Sequence, residues 1–145
     1  MQRSMAWRFE GRLTVVVHSA KNPSNLEWQN MLRDVDARGA VVNGRGLIVS
    51  YGGGPDGRQR QALGPQILRT PLPTCMMTTD GLTRAIMSAL LVFNRNMKVV
   101  GIEERKVAYD FLGLSAQERE AADRVRGDLE QELGVGSARV THQHP

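Results

Sequence analysis

The sequence of 145 residues is poor in residue types that often carry chemistry, with one cysteine, three histidines and 5% aromatic residues. Because Cys75 is alone, it cannot form an internal disulfide bond, and it lies in an apolar run that gives a redox role little support. His142 and His144 stand close together in a predicted tail, and with Cys75 they make no closed set of metal ligands. We therefore expect neither a metal nor a cofactor.

Long apolar runs and blocks of like charge are also missing. No apolar stretch approaches the roughly 20 residues of a membrane-spanning helix, and the first residues lack the apolar core of a secretory signal. The net charge of +4 comes mostly from scattered arginines, and the few aromatic residues fit apolar faces. Such a pattern does not indicate nucleic acid as a partner. We expect a cytoplasmic protein that does not bind a membrane.

What the sequence does contain is an alternation of apolar β-branched runs with amphipathic helical patterns. Residues 12–18, "GLIVSY", "CMMTT" and "MKVVGI" predict four strands. A helix is predicted after the first strand, where Ser24 or Asn22 can cap an apolar stripe that includes Leu26. The alternation predicts an α/β sandwich, a single domain with a four- or five-stranded, mostly parallel sheet flanked by helices.

An extra C-terminal helix is predicted after this domain, where Ser115 and Glu118 form a capping box. The prediction thus divides the chain into an α/β domain over residues 1–114, the helix over 115–135 and a tail over 136–145. Along the helix a narrow apolar stripe recurs three or four residues apart. It either packs on its own domain or pairs with another chain, which would make the protein a homo-oligomer. The candidate residues for self-association are Val125, Leu129 and Leu133.

The segment "PTCMMTTDGLTRAIMSALLVFNRNMKVVGIEERKVAYDFLGL" resembles the small STAS and Sec14-like domains related to an anti-sigma-factor antagonist. The elements that match are "MMTTD", "LTRAIMSALLVF", "MKVV" and "EERKVAYDFL", and together they cover roughly residues 72–114. The resemblance implies a regulatory module without catalysis. In the antagonist, a serine at the start of the helix after the third strand is phosphorylated. That motif is missing here, and Ser50 is the nearest hydroxyl.

The stretch "SYGGGPDGR" begins with what we call the glycine loop, residues 50–54. Successive backbone N–H groups between a strand and a helix can bind phosphate. However, the Gly-Lys-Ser/Thr ending of a P-loop is absent, and Asp56 would repel an anion. The loop is therefore interpreted first as a flexible surface loop or a partner-contact loop. The candidate contact residues are Ser50, Tyr51, Gly52, Gly53, Gly54, Arg58 and Arg60.

Two further places invite a chemical interpretation. "TTDG" follows a predicted parallel strand, where α/β folds bind their ligands. The simpler explanation is that Thr79 or Asp80 caps the next helix. His18 and Ser19 are neighbours in an extended chain, so their side chains point to opposite faces and do not form a base and nucleophile. The candidate ligand or phosphorylation sites are Ser50, Thr78, Thr79 and Asp80.

These patterns together predict a non-catalytic module that regulates by binding another protein. Arg58 and Arg60 would meet an acidic surface of that partner. The alternative is a protein that binds a small ligand or a nucleotide phosphate with the glycine loop and Asp80. No recognisable pair of nucleophile and base supports an enzyme.

Overall fold

The computed structural model describes residues 3–39, 41–59, 72–90 and 96–136. Within these ranges the strands are β1 Met5–Glu10, β2 Leu13–His18, β3 Arg45–Ser50, β4 Thr74–Thr78 and β5 Met97–Gly101. The helices are α1 Asn25–Arg38, α2 Gly81–Leu90, α3 Arg105–Leu112 and α4 Ala116–Leu133. Residues 57–59 are also helical. Arg60 and the histidines His142 and His144 lie outside the described residues.

The five strands form one mixed sheet in the order β1-β2-β3-β4-β5. β1 runs antiparallel to β2, and the four strands β2 to β5 are parallel to one another. A two-residue turn joins β1 to β2, and Gly11 adopts a φ of 56° there, which glycine tolerates best. The α/β class and the mostly parallel sheet are confirmed, whereas the strand β1 was not predicted.

The two faces of the sheet are covered by different helices. α1 packs on one face, where Trp28 and Met31 join Met5 and Val16 in a buried cluster. α1 and α2 each connect one parallel strand to the next in the same direction, so right-handed crossovers place both helices on that face. α3 and α4 cover the opposite face, and their apolar side chains share a cluster with alternate residues of β2, β3 and β4.

The capping residues of α1 and α4 follow from short sequence patterns. Ser24 caps α1 and exchanges hydrogen bonds with Glu27, and Ser115 exchanges the same pair of bonds with Glu118 at the start of α4. In both helices the hydroxyl accepts from the backbone of the glutamate while the carboxylate accepts from the backbone of the serine. The predicted capping box at Ser115 is confirmed, and of the two candidate caps of α1 the structure uses Ser24.

The apolar stripe of α4 corrects the prediction of a self-association surface. Val125, Leu129 and Leu133 are buried, with at most 2% of each residue exposed, in the same cluster as Val15 and Val17 of β2. These side chains face the chain's own sheet and are not available to a second copy. The predicted boundary after residue 114 is therefore not a structural one, because α4 completes the core that the strands begin.

Within the described residues, no helix is both long enough and apolar enough to cross a membrane.

Candidate functional site

The four parallel strands end together at one side of the sheet, which we call the carboxyl edge. The register pairs His18 with Ser50, Ser50 with Thr78, and Thr78 with Gly101. These residues are neighbours across the strands and lie in one row on the face that α1 covers. The chain leaves β2, β3 and β4 at this edge to enter a loop and then a helix. α/β proteins commonly bind their ligands at such an edge.

The glycine loop folds back onto this edge and uses up its own backbone donors. The amides of residues 51–54 donate to the His18 oxygen (3.0 Å), Ser50 Oγ (3.1 Å), the Ser19 oxygen (2.8 Å) and Asn22 Oδ1 (3.2 Å) respectively. An anion-binding nest requires successive N–H groups that point at the ligand. In this loop the four amides already have acceptors within the chain, so the loop as folded is not a phosphate cradle.

The helical segment after the loop, residues 57–59, also has backbone donors at its start that are satisfied by acceptors within the chain. Asp56 and Gln59 exchange hydrogen bonds of 2.9 Å, each side chain accepting from the other's backbone amide. The side-chain amide of Gln59 also donates to the Pro23 oxygen and to Asn25 Oδ1. An aspartate therefore occupies the helix terminus that an anion would need, and Gln59 ties this terminus to the start of α1.

Gly53 is the point of closest approach between the glycine loop and the loop that precedes α1. A Cβ atom at Gly53 would lie 2.0 Å from the Lys21 oxygen and 2.6 Å from the Ser19 oxygen. Such distances are not compatible with any side chain. By contrast, a Cβ atom at Gly54 would meet nothing within 4 Å. The contact between the two loops thus depends on one of the three glycines in particular.

Two of the predicted phosphorylation candidates are not accessible in this structure. Ser50 is 1% exposed, and its hydroxyl donates to the Gly53 oxygen at 2.6 Å. Thr78 is buried as well, and its hydroxyl accepts from the backbone amide of Asp80. Thr79 is the exposed member of the set. A kinase could reach the Ser50 hydroxyl only after the loop had opened, which corrects its prediction as a surface site.

Asp80 acts as the cap of α2. Its carboxylate accepts from the Leu82 amide at 3.1 Å and from the Thr83 hydroxyl at 2.6 Å. These bonds, that of Thr83 first, lower the pKa of Asp80. Both carboxylate oxygens have donors in the first turn of α2, so the structure favours the capping role over the ligand role.

His18 is a buried base that makes no hydrogen bond through Nδ1. Burial lowers its pKa to about 4, and the nearby carboxylate of Glu27 opposes this shift only partly. The imidazole is therefore neutral at neutral pH. Although Ser50 is its neighbour in the register, the hydroxyl proton of Ser50 is donated to Gly53. The pair thus has the residue types of a base and a nucleophile without the hydrogen bond that would join them.

The carboxyl edge carries exposed apolar side chains that the sequence interpretation missed. Leu26 is 71% exposed, Leu82 is 70% exposed and Val107 is 41% exposed. They lie in the first turns of α1, α2 and α3 respectively. Leu26 had been assigned to the buried stripe of its helix, which is wrong. Leu26 is the second residue of α1, two positions before the buried Trp28 and five before the buried Met31, a spacing that does not share one helix face, and this was the available signal.

The predicted contact residues divide into an exposed and a structural group. Gly52 and Arg58 are exposed, Tyr51 and Gly54 are partly buried, and Gly53 is buried. Lys21, in the neighbouring loop, is a further exposed cation at this edge. The Tyr51 hydroxyl donates to Glu130 of α4. The loop therefore offers a small exposed surface whose shape is determined by buried contacts.

Cys75 lies in the core, near the amino end of β4. Burial raises the pKa of its thiol to about 12, so the thiol is protonated and unreactive in the folded chain. Over the part of the chain that the structure describes, no group of three or more histidine, cysteine, aspartate or glutamate residues could hold a metal ion.

Comparison of the chain with protein-family models, with curated proteins and with solved structures finds no match.

Proposed function

We propose that this protein is a non-catalytic regulatory module that binds a protein partner through the carboxyl edge of its sheet. The observation that carries the proposal is the common position of Leu26, Leu82 and Val107, which are exposed in the first turns of three different helices. Single exposed apolar residues are ordinary, but several at one edge are typical of an interaction surface. The other large apolar residues exposed in the described ranges are Val42 and Leu72, which lie before β3 and β4 at the opposite, amino edge.

The geometry of the sheet brings the two leucines, Leu26 and Leu82, within reach of one partner segment. Leu26 follows β2 and Leu82 follows β4, on the same face. These strands are two spacings apart, which is about 10 Å. The exposed cation Lys21 lies in the loop that leaves β2, and the exposed cation Arg58 lies in the helical segment after the loop that leaves β3. A partner with apolar side chains flanked by carboxylates would complement this surface.

The folded state of the glycine loop supports binding of a partner more than binding of a phosphate. Its amides are satisfied internally, so it has few donors left for an anion. A loop that is already ordered loses little conformational entropy when a partner binds, and this favours affinity. The proposal also follows the resemblance of residues 72–114 to STAS and Sec14-like domains, whose antagonist members regulate by binding proteins. If Ser50 is phosphorylated like the serine of the antagonist, the loop must open first.

The proposal can be tested with a photo-crosslinking amino acid at position 58 in cells that produce the full chain. The matched control carries the photo-crosslinking amino acid at position 117 instead. Gln117 is exposed in the first turn of α4, next to Glu118, which accepts a hydrogen bond from Arg12 in the turn between β1 and β2. We expect a discrete protein adduct from position 58 and none from position 117. Leu26→Glu and Leu82→Glu should each reduce the adduct at least tenfold, while Val42→Glu, equally polar and at the amino edge, should leave it unchanged.

A second measurement addresses the small-ligand alternative. The melting temperature of the purified protein is recorded with ATP, with GTP and with inorganic phosphate at millimolar concentration. We expect no increase, because the loop amides have internal acceptors. A saturable increase that Gly53→Ala abolishes, together with no adduct from position 58, would replace the interaction module by a phosphate-binding protein.

A further inference from the structure

The C-terminal helix reaches the glycine loop through one side chain. Tyr51 lies within the loop, and its hydroxyl donates to Glu130 Oε2 of α4, 79 residues further along the chain. The same oxygen accepts from Nε of Arg126 at 2.9 Å. The side chains of Arg126 and Glu130 are only 11% and 10% exposed. We call these three residues the Tyr51 cluster.

The cluster joins the loop to the far side of the sheet. Ser50 points to the face covered by α1, so the next residue, Tyr51, points to the face covered by α4. Arg126 also lies 3.7 Å from the sulfur of Met77 in β4. The acidic and basic partners are therefore held by the core itself, and the tyrosine is the member of the cluster that belongs to the loop.

Arg126 and Glu130 depend on each other because this ion pair is nearly closed to water, and the partly buried Tyr51 covers it from the loop. A buried ion pair that loses a partner leaves an uncompensated charge, which is strongly unfavourable. Burial and the hydrogen bond to Glu130 both raise the pKa of Tyr51, so the hydroxyl keeps the proton that it donates. Movement of Tyr51 away from α4 would break a hydrogen bond to a charged group, and such bonds are among the stronger ones.

We infer that Glu130, paired with Arg126, is a positioning residue that holds the glycine loop in its closed conformation. The backbone of Tyr51 donates to the His18 oxygen, and the two following amides donate to Ser50 and Ser19. These bonds form only while Tyr51 stays in place. α4 thereby controls the surface at the carboxyl edge from the opposite side of the sheet. The effect of Glu130 on partner binding rests on the proposed function, whereas its effect on the conformation of the loop does not.

The chain offers a matched control for the tyrosine. Tyr109 of α3 also donates its hydroxyl to a carboxylate of α4, to Asp123 Oδ1 at 2.8 Å. Tyr109 is buried, and its hydroxyl donates to Asp123 and not to the glycine loop. Tyr51→Phe and Tyr109→Phe therefore remove the same kind of hydrogen bond at two places, and only the first lies at the loop.

The test is native-state hydrogen exchange of the full chain, followed at the amides of Gly52 and Gly53 with Trp28 of α1 as the reference. We expect Tyr51→Phe and Glu130→Gln to speed exchange at both glycines by roughly tenfold, the equivalent of one hydrogen bond to a charged group. Exchange at Trp28 should be unchanged, and Tyr109→Phe should leave the glycines as in the wild type.

Two results would overturn the inference. One is unchanged exchange at the glycines in Tyr51→Phe, and the other is equal acceleration at the glycines and at Trp28, which would report global destabilisation. If Glu130→Gln does not fold, Tyr51→Phe, which keeps the ring, still decides the question.

The photo-crosslink at position 58 separates this inference from the proposed function. Faster exchange with a reduced adduct supports both. Faster exchange with an unchanged adduct keeps the positioning role of Glu130 and contradicts the assignment of the loop to the binding surface.

Discussion

The hydroxyl of Ser50 donates a hydrogen bond of 2.6 Å to the carbonyl oxygen of Gly53, and it also accepts from the amide of Gly52. One buried side chain thus closes the glycine loop upon itself at the end of β3. Ser50 is 1% exposed, and its bond to Gly53 is buried, whereas its bond to the exposed Gly52 is partly buried. The conformation of the loop therefore depends on Ser50 as well as on the glycines.

Ser50→Ala should destabilise the protein by about 1–3 kcal/mol, because it leaves the carbonyl of the buried Gly53 without its donor and removes the acceptor of the Gly52 amide. The free energy of unfolding in urea measures the effect. The control is Thr79→Ala, since Thr79 is exposed at the same edge and we expect a change within about 0.5 kcal/mol. Equal stability of the Ser50 variant and the wild type would contradict the closed loop.

The second prediction compares two neighbouring glycines. Gly53→Ala should destabilise the protein by more than about 2 kcal/mol, because its Cβ atom would overlap the Lys21 oxygen. Gly54→Ala should be neutral or stabilise by up to about 1 kcal/mol, since its Cβ atom would meet no atom and alanine restricts the unfolded chain. Thermal unfolding of the two variants provides the comparison, and a reversed order would disprove the packing of the two loops.

A third prediction concerns the role of α4 in folding. A chain that ends at Leu114 should show no cooperative unfolding, because it lacks the buried residues that cover β1 and β2. Within the full chain, Leu129→Ala should cost about 2–5 kcal/mol and Gln131→Ala, at an exposed position, less than about 0.5 kcal/mol. A folded, stable chain of 114 residues would mean that α4 is an appended element after all.

The fourth prediction is a loss of stability in mild acid. The pKa of His18 is about 4 in the folded chain and near 6.5 when the chain is unfolded. As the pH falls from 6.5 to 4, the unfolded state therefore binds a proton that the folded state does not. The free energy of unfolding should decrease over this window, by about 3 kcal/mol at its lower end. Urea unfolding at a series of pH values measures the slope.

The control for this slope is His18→Gln, which cannot titrate and should flatten the curve between pH 6.5 and 4. A separate loss is expected at lower pH. Hydrogen bonds from Ser4 and Ser24 outweigh the burial of Glu27 and lower its pKa to about 2. Its contribution is present above pH 4.5 and disappears as the pH falls toward 2. A slope that persists unchanged in His18→Gln would show that His18 is not its origin.

The sequence predicted best what depends on residues close together in the chain. The capping box at Ser115 was predicted, and the caps Ser24 and Asp80 were each one of two candidates, beside Asn22 and Thr79. These caps rest on bonds between residues two or three positions apart, so the local residue types indicate them. The strands β2 to β5 were recognisable as short apolar runs between turns. β1 escaped because its alternation of apolar and charged residues, "MAWRFE", stands next to β2 with only Gly11 and Arg12 between them.

What the sequence by itself determined is therefore the alternation of strands and helices, their caps and the absence of familiar catalytic motifs. Only the tertiary structure decided which surfaces remain for function. The stripe of Leu129 could face its own sheet or another chain, and the packing on β1 and β2 settled this. The donors of the glycine loop find acceptors in Ser19 and Asn22, and Tyr51 finds Glu130, residues far away in sequence. Such contacts arise only when the sheet has assembled, because hydrogen bonds and burial depend on distance in space.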